Sequence, residues 1–268
     1  MKVNFSVKLF LLITFCIYIQ DCKSQTNSIP NSTEDSDKIN LHYAARYINH
    51  YSELKLLIKN GGDVNSLDND GNTPLYVNLL YSSFSNEPFY NKERLKKAIL
   101  LIQSGADVNI KGSALPIIFY SVGNYYMLKL IVEAGANVNE KNSFKHLMAR
   151  GGDTPLHWAS QYGTLKEVQY LIEKGADINA EDDCGWTPLH CAIFSGNVEL
   201  VNFYLSKGMD KTIRTKKEFE VLWGGWAENP YPLNSTLLEI AKIAKSNAHR
   251  YEKKTSDYDE IISLLEQL

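Results

Sequence analysis

Through most of the chain, apolar side chains recur at helical spacing in short bursts, separated by polar turns that carry glycine. Leu189 and Ala192 point one way, and Val198, Val201 and Leu205 form a second stripe soon after. Recurrence at three and four residues marks one buried face of a helix. Thr187 before Pro188 predicts the start of the first helix. A threonine oxygen there can accept an otherwise unpaired N–H, and proline in the first turn has no N–H to lose. Gly196 predicts the end of that helix and Gly208 the end of the second. Neither helix reaches the roughly 12–15 residues at which an isolated helix becomes marginally stable in water, so each pair needs a neighbour.

The burst returns along the chain. Gly152-Asp153-Thr154-Pro155-Leu156-His157-Trp158-Ala159 reappears as Gly185-Trp186-Thr187-Pro188-Leu189-His190-Cys191-Ala192, and Thr154 to Thr187 is 33 residues. Gly175 and Gly208 keep the same interval of 33. A fixed period of roughly 20–50 residues is the signature of a repeat array, in which each unit stacks on the next to bury a continuous core. Thr-Pro-Leu-His-x-Ala at this period resembles the ankyrin repeat. The resemblance implies an all-α fold, an ankyrin-repeat solenoid of about five to six helix-turn-helix units joined by β-turn or hairpin connections. It also implies that His157 and His190 are structural hydrogen-bonding residues.

The expected repeats are approximately 39–67, 68–110, 111–141, 150–181, 182–212 and 235–268. The first copy opens on Leu41-His42-Tyr43-Ala44-Ala45 without the Thr-Pro pair, as suits a terminal unit with one neighbour. Ala114-Leu115-Pro116-Ile117 takes the place of Thr-Pro-Leu-His in the third copy. In the last, Ile261, Leu264 and Leu265 match Val168, Leu171 and Ile172. Departures from the period place about 11 extra residues near 82–91, between the helices of the second copy, and about 7 near 142–149. About 16 more make an insertion at 213–234. In repeat proteins such insertions map to loops on one face, often the binding face.

The amino terminus follows another pattern. Lys2 and Lys8 precede an apolar run from Leu9 to Ile19, 11 residues long and interrupted by Thr14. That is far short of the roughly 20 a spanning helix needs. With Cys22 and Ser24 ahead of Gln25, residues 1–24 read as a secretory signal peptide. Residues 25–38, rich in Ser, Asn, Thr and Asp, read as a disordered linker to a repeat domain at 39–268. The expected address is therefore secreted or periplasmic, with no stable membrane span after cleavage. Cys16 and Cys22 would leave with the signal, and Cys184 and Cys191 would remain on diverging Cβ vectors that disfavour a disulfide.

Composition changes little. The chain is 44% hydrophobic and 22% charged with net charge −3, a soluble composition with no electrostatic reason to expect nucleic acid. No Cys or His spacing suggests zinc. There is no His-Glu-x-x-His, Gly-x-Ser-x-Gly or phosphate-cradling loop, so no catalytic residue, metal or cofactor is expected.

What the resemblance implies is a non-catalytic scaffold for protein–protein interaction, expected as a monomer with one protein partner. Partners of such repeats lie against the turn tips and the inner, concave helices. Carried over by position, the exposed places are Asn69, Asp70 and Asn72 in the second copy and Ser121 in the third. The fourth contributes Asp153, Gln161 and Tyr162, and the fifth Asp183, Trp186, Phe194 and Ser195. Tyr162, Trp186 and Phe194 are expected on adjacent copies of one surface, as aromatic anchors. On this reading Trp186→Ala leaves the fold near intact and weakens binding by about 2 kcal/mol. In the insertion, Trp223 and Trp226 either fold back as a lid on the last repeats or meet the partner. A host-directed effector, an inhibitor or immunity protein for one exported enzyme, and a hydrolase built on the solenoid are the functions weighed.

Overall fold

The structure, a computed structural model, describes residues 40–47, 49–80, 88–110, 112, 115–143, 151–210, 212–217, 231–251 and 253–267. The expected signal peptide and linker lie outside the described residues, as do Trp223 and Trp226. Among the described residues the regular elements are helices, with no strand. The chain divides into two units, Met1–Ser113 and Ala114–Leu268.

The first unit holds two helix pairs, α1 (Leu41–Arg46) with α2 (Tyr51–Lys59) and α3 (Pro74–Leu80) with α4 (Pro88–Gln103). First helix packs on first and second on second, α1 against α3 and α2 against α4. Ala44, Leu54, Leu75, Leu79, Ala98 and Leu101 are fully or almost fully buried between them. Small residues such as Ala44 and Ala98 let the pairs approach. The extra residues expected between α3 and α4 partly lengthen the second helix, since α4 already begins at Pro88.

Two buried cations on α4 close helix ends. Lys97 Nζ donates to the carbonyls of Ala44 and Tyr47 at the C-terminal end of α1. Arg94 donates to Asn78 O at 2.7 Å and to Arg46 O at 3.4 Å. Last-turn carbonyls lack partners within the helix, and a cation there satisfies them and meets the negative end of the helix dipole. Burial, then the neighbouring Arg94 charge, brings the Lys97 ammonium down to about 8, with Glu93 and Glu53 opposing. Between that value and the ordinary 10.5 the unfolded chain holds a proton that the folded chain has released, so Lys97 makes folding more favourable as pH rises through this window. Urea unfolding at pH 7.5 and about 10 is expected to move the midpoint of the native chain upward relative to Lys97→Met. Parallel shifts in both proteins would contradict the assignment.

The second unit continues the plan with α5 (Ile117–Ser121) and α6 (Tyr125–Glu133), α7 (Pro155–Tyr162) and α8 (Leu165–Glu173), and α9 (Pro188–Ser195) and α10 (Val198–Ser206). A last pair follows, α11 (Leu237–Ser246) and α12 (Thr255–Glu266), with a 3₁₀ turn at Ala248–Tyr251 between. The first helices stack in order, α7 on α5, α9 on α7 and α11 on α9. The matched stripes agree in burial at two of three positions: Val168 and Ile261 are fully buried and Ile172 and Leu265 half-buried, whereas Leu171 is fully buried and Leu264 is not. Leu264 and Leu265 are half-buried, as expected of a helix with a neighbour on one side. The turn glycine Gly175 has φ of 90° with nothing within 4 Å of an added Cβ, so only the backbone resists a side chain there. Gly175→Val is expected to cost about 2 kcal/mol, read as a lower melting temperature by circular dichroism; an unchanged melting temperature would refute it.

Candidate interaction surface

Among the described residues four fingers project from the stacked pairs, and one bonding scheme builds these four. In each, the N–H of the first residue donates to the carbonyl of the last, and the side chain of the first accepts the N–H of the last. Asp68 and Asn72 do this in the first unit at 2.9 and 2.8 Å. In the second unit Asn142 pairs with Asp153 (2.9 and 3.2 Å), Asp182 with Trp186 (2.9 and 2.8 Å), and Thr215 with Ser235 (3.1 and 2.9 Å). Neighbouring fingers of that unit are tied by backbone bonds, Asp183 N to Gly151 O and Lys216 N to Cys184 O, each 2.8 Å.

Two of the expected insertions fall between finger-base residues. The tight fingers place residues 69–71 and 183–185 between base residues, whereas the others place 143–152 and 216–234 there. In the sequence, the extra residues of the fourth and sixth copies are bracketed by the Asn142–Asp153 and Thr215–Ser235 bases. Sequence reasoning missed the Thr215–Ser235 base because Thr215 stands where Asp or Asn stands in the others. Its signal was Ser235 immediately before Thr236, as Trp186 precedes Thr187.

The histidines tie copies together. His157 Nδ1 accepts the Thr154 N–H at 3.1 Å and bonds to the Thr154 hydroxyl at 2.8 Å. Its Nε2 then carries the proton and donates to Trp186 O of the next finger at 3.0 Å. His190 meets Thr187 in the same way, at 3.0 and 2.9 Å. His42 Nε2 lies 3.1 and 3.0 Å from Ser66 O and Asn72 O. At Thr73 the hydroxyl accepts the Tyr76 amide, while at Thr154 and at Thr187, where the cap was expected, threonine and histidine side chains share a capping box.

Of the residues expected at the surface, Asn69, Asp70 and Asp183 are exposed on finger tips, and Gln161, Tyr162 and Phe194 are half-buried. Five others are corrected. Asn72 (3% exposed), Asp153 (3%) and Trp186 (0%) are finger-base residues whose backbones are turned into the stack, and their side chains follow. Ser121 (0%) donates to Ile118 O within its own helix. Ser195 (8%) bonds to Ala192 O and to Ser160 O of the preceding copy, joining α9 to α7. The three aromatics also separate. Trp186 and Phe194 lie 5.8 Å apart, both edge-on to Tyr231 of the insertion at 5.3 and 5.7 Å, whereas Tyr162 packs edge-on against Trp158 at 5.7 Å. Tyr231 is itself 1% exposed, so this end of the insertion folds back onto the fifth copy.

Other buried polar groups also join copies. Glu167 accepts the Gly123 amide of the preceding copy at 2.7 Å and the Thr164 amide at 2.9 Å. Burial raises its carboxyl from the usual range against those hydrogen bonds. Among the described residues no cluster of His, Cys, Asp or Glu is placed to hold a metal, and no helix is long and apolar enough to cross a membrane.

Comparison with known proteins agrees with this geometry. Residues 115–215 match the family model described as ankyrin repeats in three copies, and residues 41–69 match the single ankyrin repeat. Over 86 residues the chain is 38% identical to alpha-latrocrustotoxin-Lt1a of Latrodectus tredecimguttatus, covering 31% of this chain and 6% of the toxin. It is 29% identical over 151 residues to transient receptor potential cation channel subfamily A member 1 of Drosophila melanogaster, 55% of this chain and 12% of the channel. A putative ankyrin repeat protein of fowlpox virus, FPV223, is 28% identical over 141 residues, 53% of this chain and 87% of the viral protein. The chain thus spans a small part of the first two relatives and most of the third.

Proposed function

Since residues 41–69 and 115–215 match ankyrin-repeat family models, we propose that this chain is an exported, non-catalytic scaffold that binds a protein partner through exposed finger-tip residues. The observation that carries this reading is the contrast within the two tight fingers. Asn72, Asp182 and Trp186 are buried and, with the half-buried Asp68, bonded across the base, while Asn69, Asp70 and Asp183 stand exposed between them. Rigid loops presenting polar side chains suit recognition, because little ordering entropy is lost on binding. The histidines that an enzymatic reading would recruit are committed to caps and to the next copy's backbone. Export rests on residues 1–24, whose charged start, short apolar run and small residues before Gln25 fit a signal peptide.

The test uses the full chain. Affinity capture is compared between the native protein and Asp70→Arg and Asp183→Arg, with melting temperature measured in parallel. Partner recovery is expected to fall at least about tenfold with an unchanged melting temperature, because a reversed charge at a contact opposes binding without touching the core. Undiminished recovery in both variants would remove the tips from the interface. Mass spectrometry of the expressed protein is expected to find Gln25 as the first residue; an intact Met1 in the exported fraction would overturn the export reading.

A further inference from the structure

Two of the turns that follow the second helices are sewn to the next by asparagine, and within the second unit the junction at Asn179 is not. Asn65 donates its side-chain amide to Gly105 O at 3.0 Å and accepts the Asp107 N–H at 2.8 Å. Asn139 does the same to Gly175 O at 2.9 Å and Asp177 N at 2.9 Å. The carbonyl of the turn glycine and the N–H two residues later thus form a two-point receptor for a primary carboxamide, observed twice. By register Asn179 would take Gly208 O and Asp210 N, yet no hydrogen bond joins them.

The cause is next to the receptor. Where Ala106, Ala136 and Ala176 follow the glycine, Met209 stands after Gly208, and it is 5% exposed. Each alanine N–H closes its helix end on the carbonyl five residues back (Leu101, Ile131, Leu171), a bond absent at Met209. Gly208 has φ of 72°, against 93°, 97° and 90° at Gly105, Gly135 and Gly175. The buried thioether side chain needs more room than a methyl group, so the chain leaves α10 along a different path and the turn stands off from Asn179. A cleft of about 430 Å³ lies in the gap, lined by Asn179, Lys207, Gly208, Met209 and Asp210 among others. That volume is within the range of small-ligand clefts.

We propose that this cleft is a binding site for a side-chain carboxamide, an Asn or Gln supplied by the protein partner, which pairs with Gly208 O and Asp210 N as Asn139 pairs with Gly175 and Asp177. A carboxylate could accept from Asp210 N but would bring a second acceptor against Gly208 O, leaving the pairing half made. Charge gives an anion no advantage, since Glu181 and Asp210 line the cleft along with Lys207. Ligand carbon atoms would pack on Met209 and on the half-buried Ile178 and Ile213, which also line it. The source of the carboxamide rests on the partner-binding reading; the receptor itself can be tested without a partner.

The experiment is a ¹H–¹⁵N NMR titration of the full chain with N-acetyl-glutamine methylamide, with the glutamate analogue as control. The Asp210 amide is expected to shift and saturate at millimolar probe, with the glutamate analogue at least about tenfold weaker. In Met209→Ala, which restores the residue found after Gly105, Gly135 and Gly175, Asn179 is expected to take the receptor. The probe shift then disappears and the Asn179 side-chain amide gains protection from exchange. An Asp210 amide that ignores the glutamine probe, that answers both probes equally, or that still answers in Met209→Ala overturns the assignment. Failed capture with an intact probe titration would instead count against the partner reading alone.

Discussion

His157→Ala is expected to destabilise the second unit by about 3–4 kcal/mol, read as a lower urea midpoint at unchanged slope. His157 is fully buried, and three groups of the chain depend on its ring: the Thr154 N–H, the Thr154 hydroxyl and Trp186 O. A buried donor or acceptor stripped of its partner costs about 1–3 kcal/mol, and alanine strands the first and last of these while leaving a cavity. The hydroxyl can rotate toward the helix-start amides and recover part of its loss, which keeps the total below the simple sum. Because the Trp186 carbonyl belongs to the next finger, the damage spreads across the junction between copies and is expected to broaden hydrogen exchange in both. A loss under about 1 kcal/mol would mean that the ring is not needed for stacking, and would reopen a chemical role for it.

The order of helices was legible because the signals lie close together in sequence. Thr187, Pro188, His190 and Gly196 define a helix within ten positions, and each of these residues acts on a backbone group of its own turn. The fingers were half legible. Asp68 and Asp182 sit four residues from the groups they accept, whereas Asn142 and Thr215 close on Asp153 and Ser235 11 and 20 residues later, and no local pattern announces such a pairing. The asparagine stitches were not legible at all, since Asn65 and Asn139 act on backbone of the next copy, which offers no side-chain type to search for. Trp186 was misread for a related reason. Its neighbours Asp183 and Cys184 belong to the tip, and only the hydrogen bonds that Asp182 accepts from the Cys184 and Trp186 amides reveal that the chain has already turned inward there.

Trp186→Ala is therefore expected to act on the fold and not on the surface. The indole is fully buried, edge-on to Tyr231 at 5.3 Å and to Phe194 at 5.8 Å, and 5.8 Å from the His190 ring. Truncating a buried tryptophan costs about 3–5 kcal/mol through lost transfer energy and the cavity left behind. For a domain of this size that lowers the melting temperature by roughly 10 °C. Trp186→Phe keeps a ring against Tyr231 and is expected to fall between the two, whereas Phe194→Ala, at a half-buried site, is expected to cost less than Trp186→Ala. The effect also couples to that of His157, because one residue supplies both the ring on the Tyr231 side and the carbonyl on the His157 side of the same finger base. Residues sharing a junction do not add, so the double variant should lose about 1 kcal/mol or more less than the two single losses together. Strict additivity would show that the two act on separate parts of the stack, and an unchanged melting temperature in Trp186→Ala would return the indole to the surface as a partner anchor.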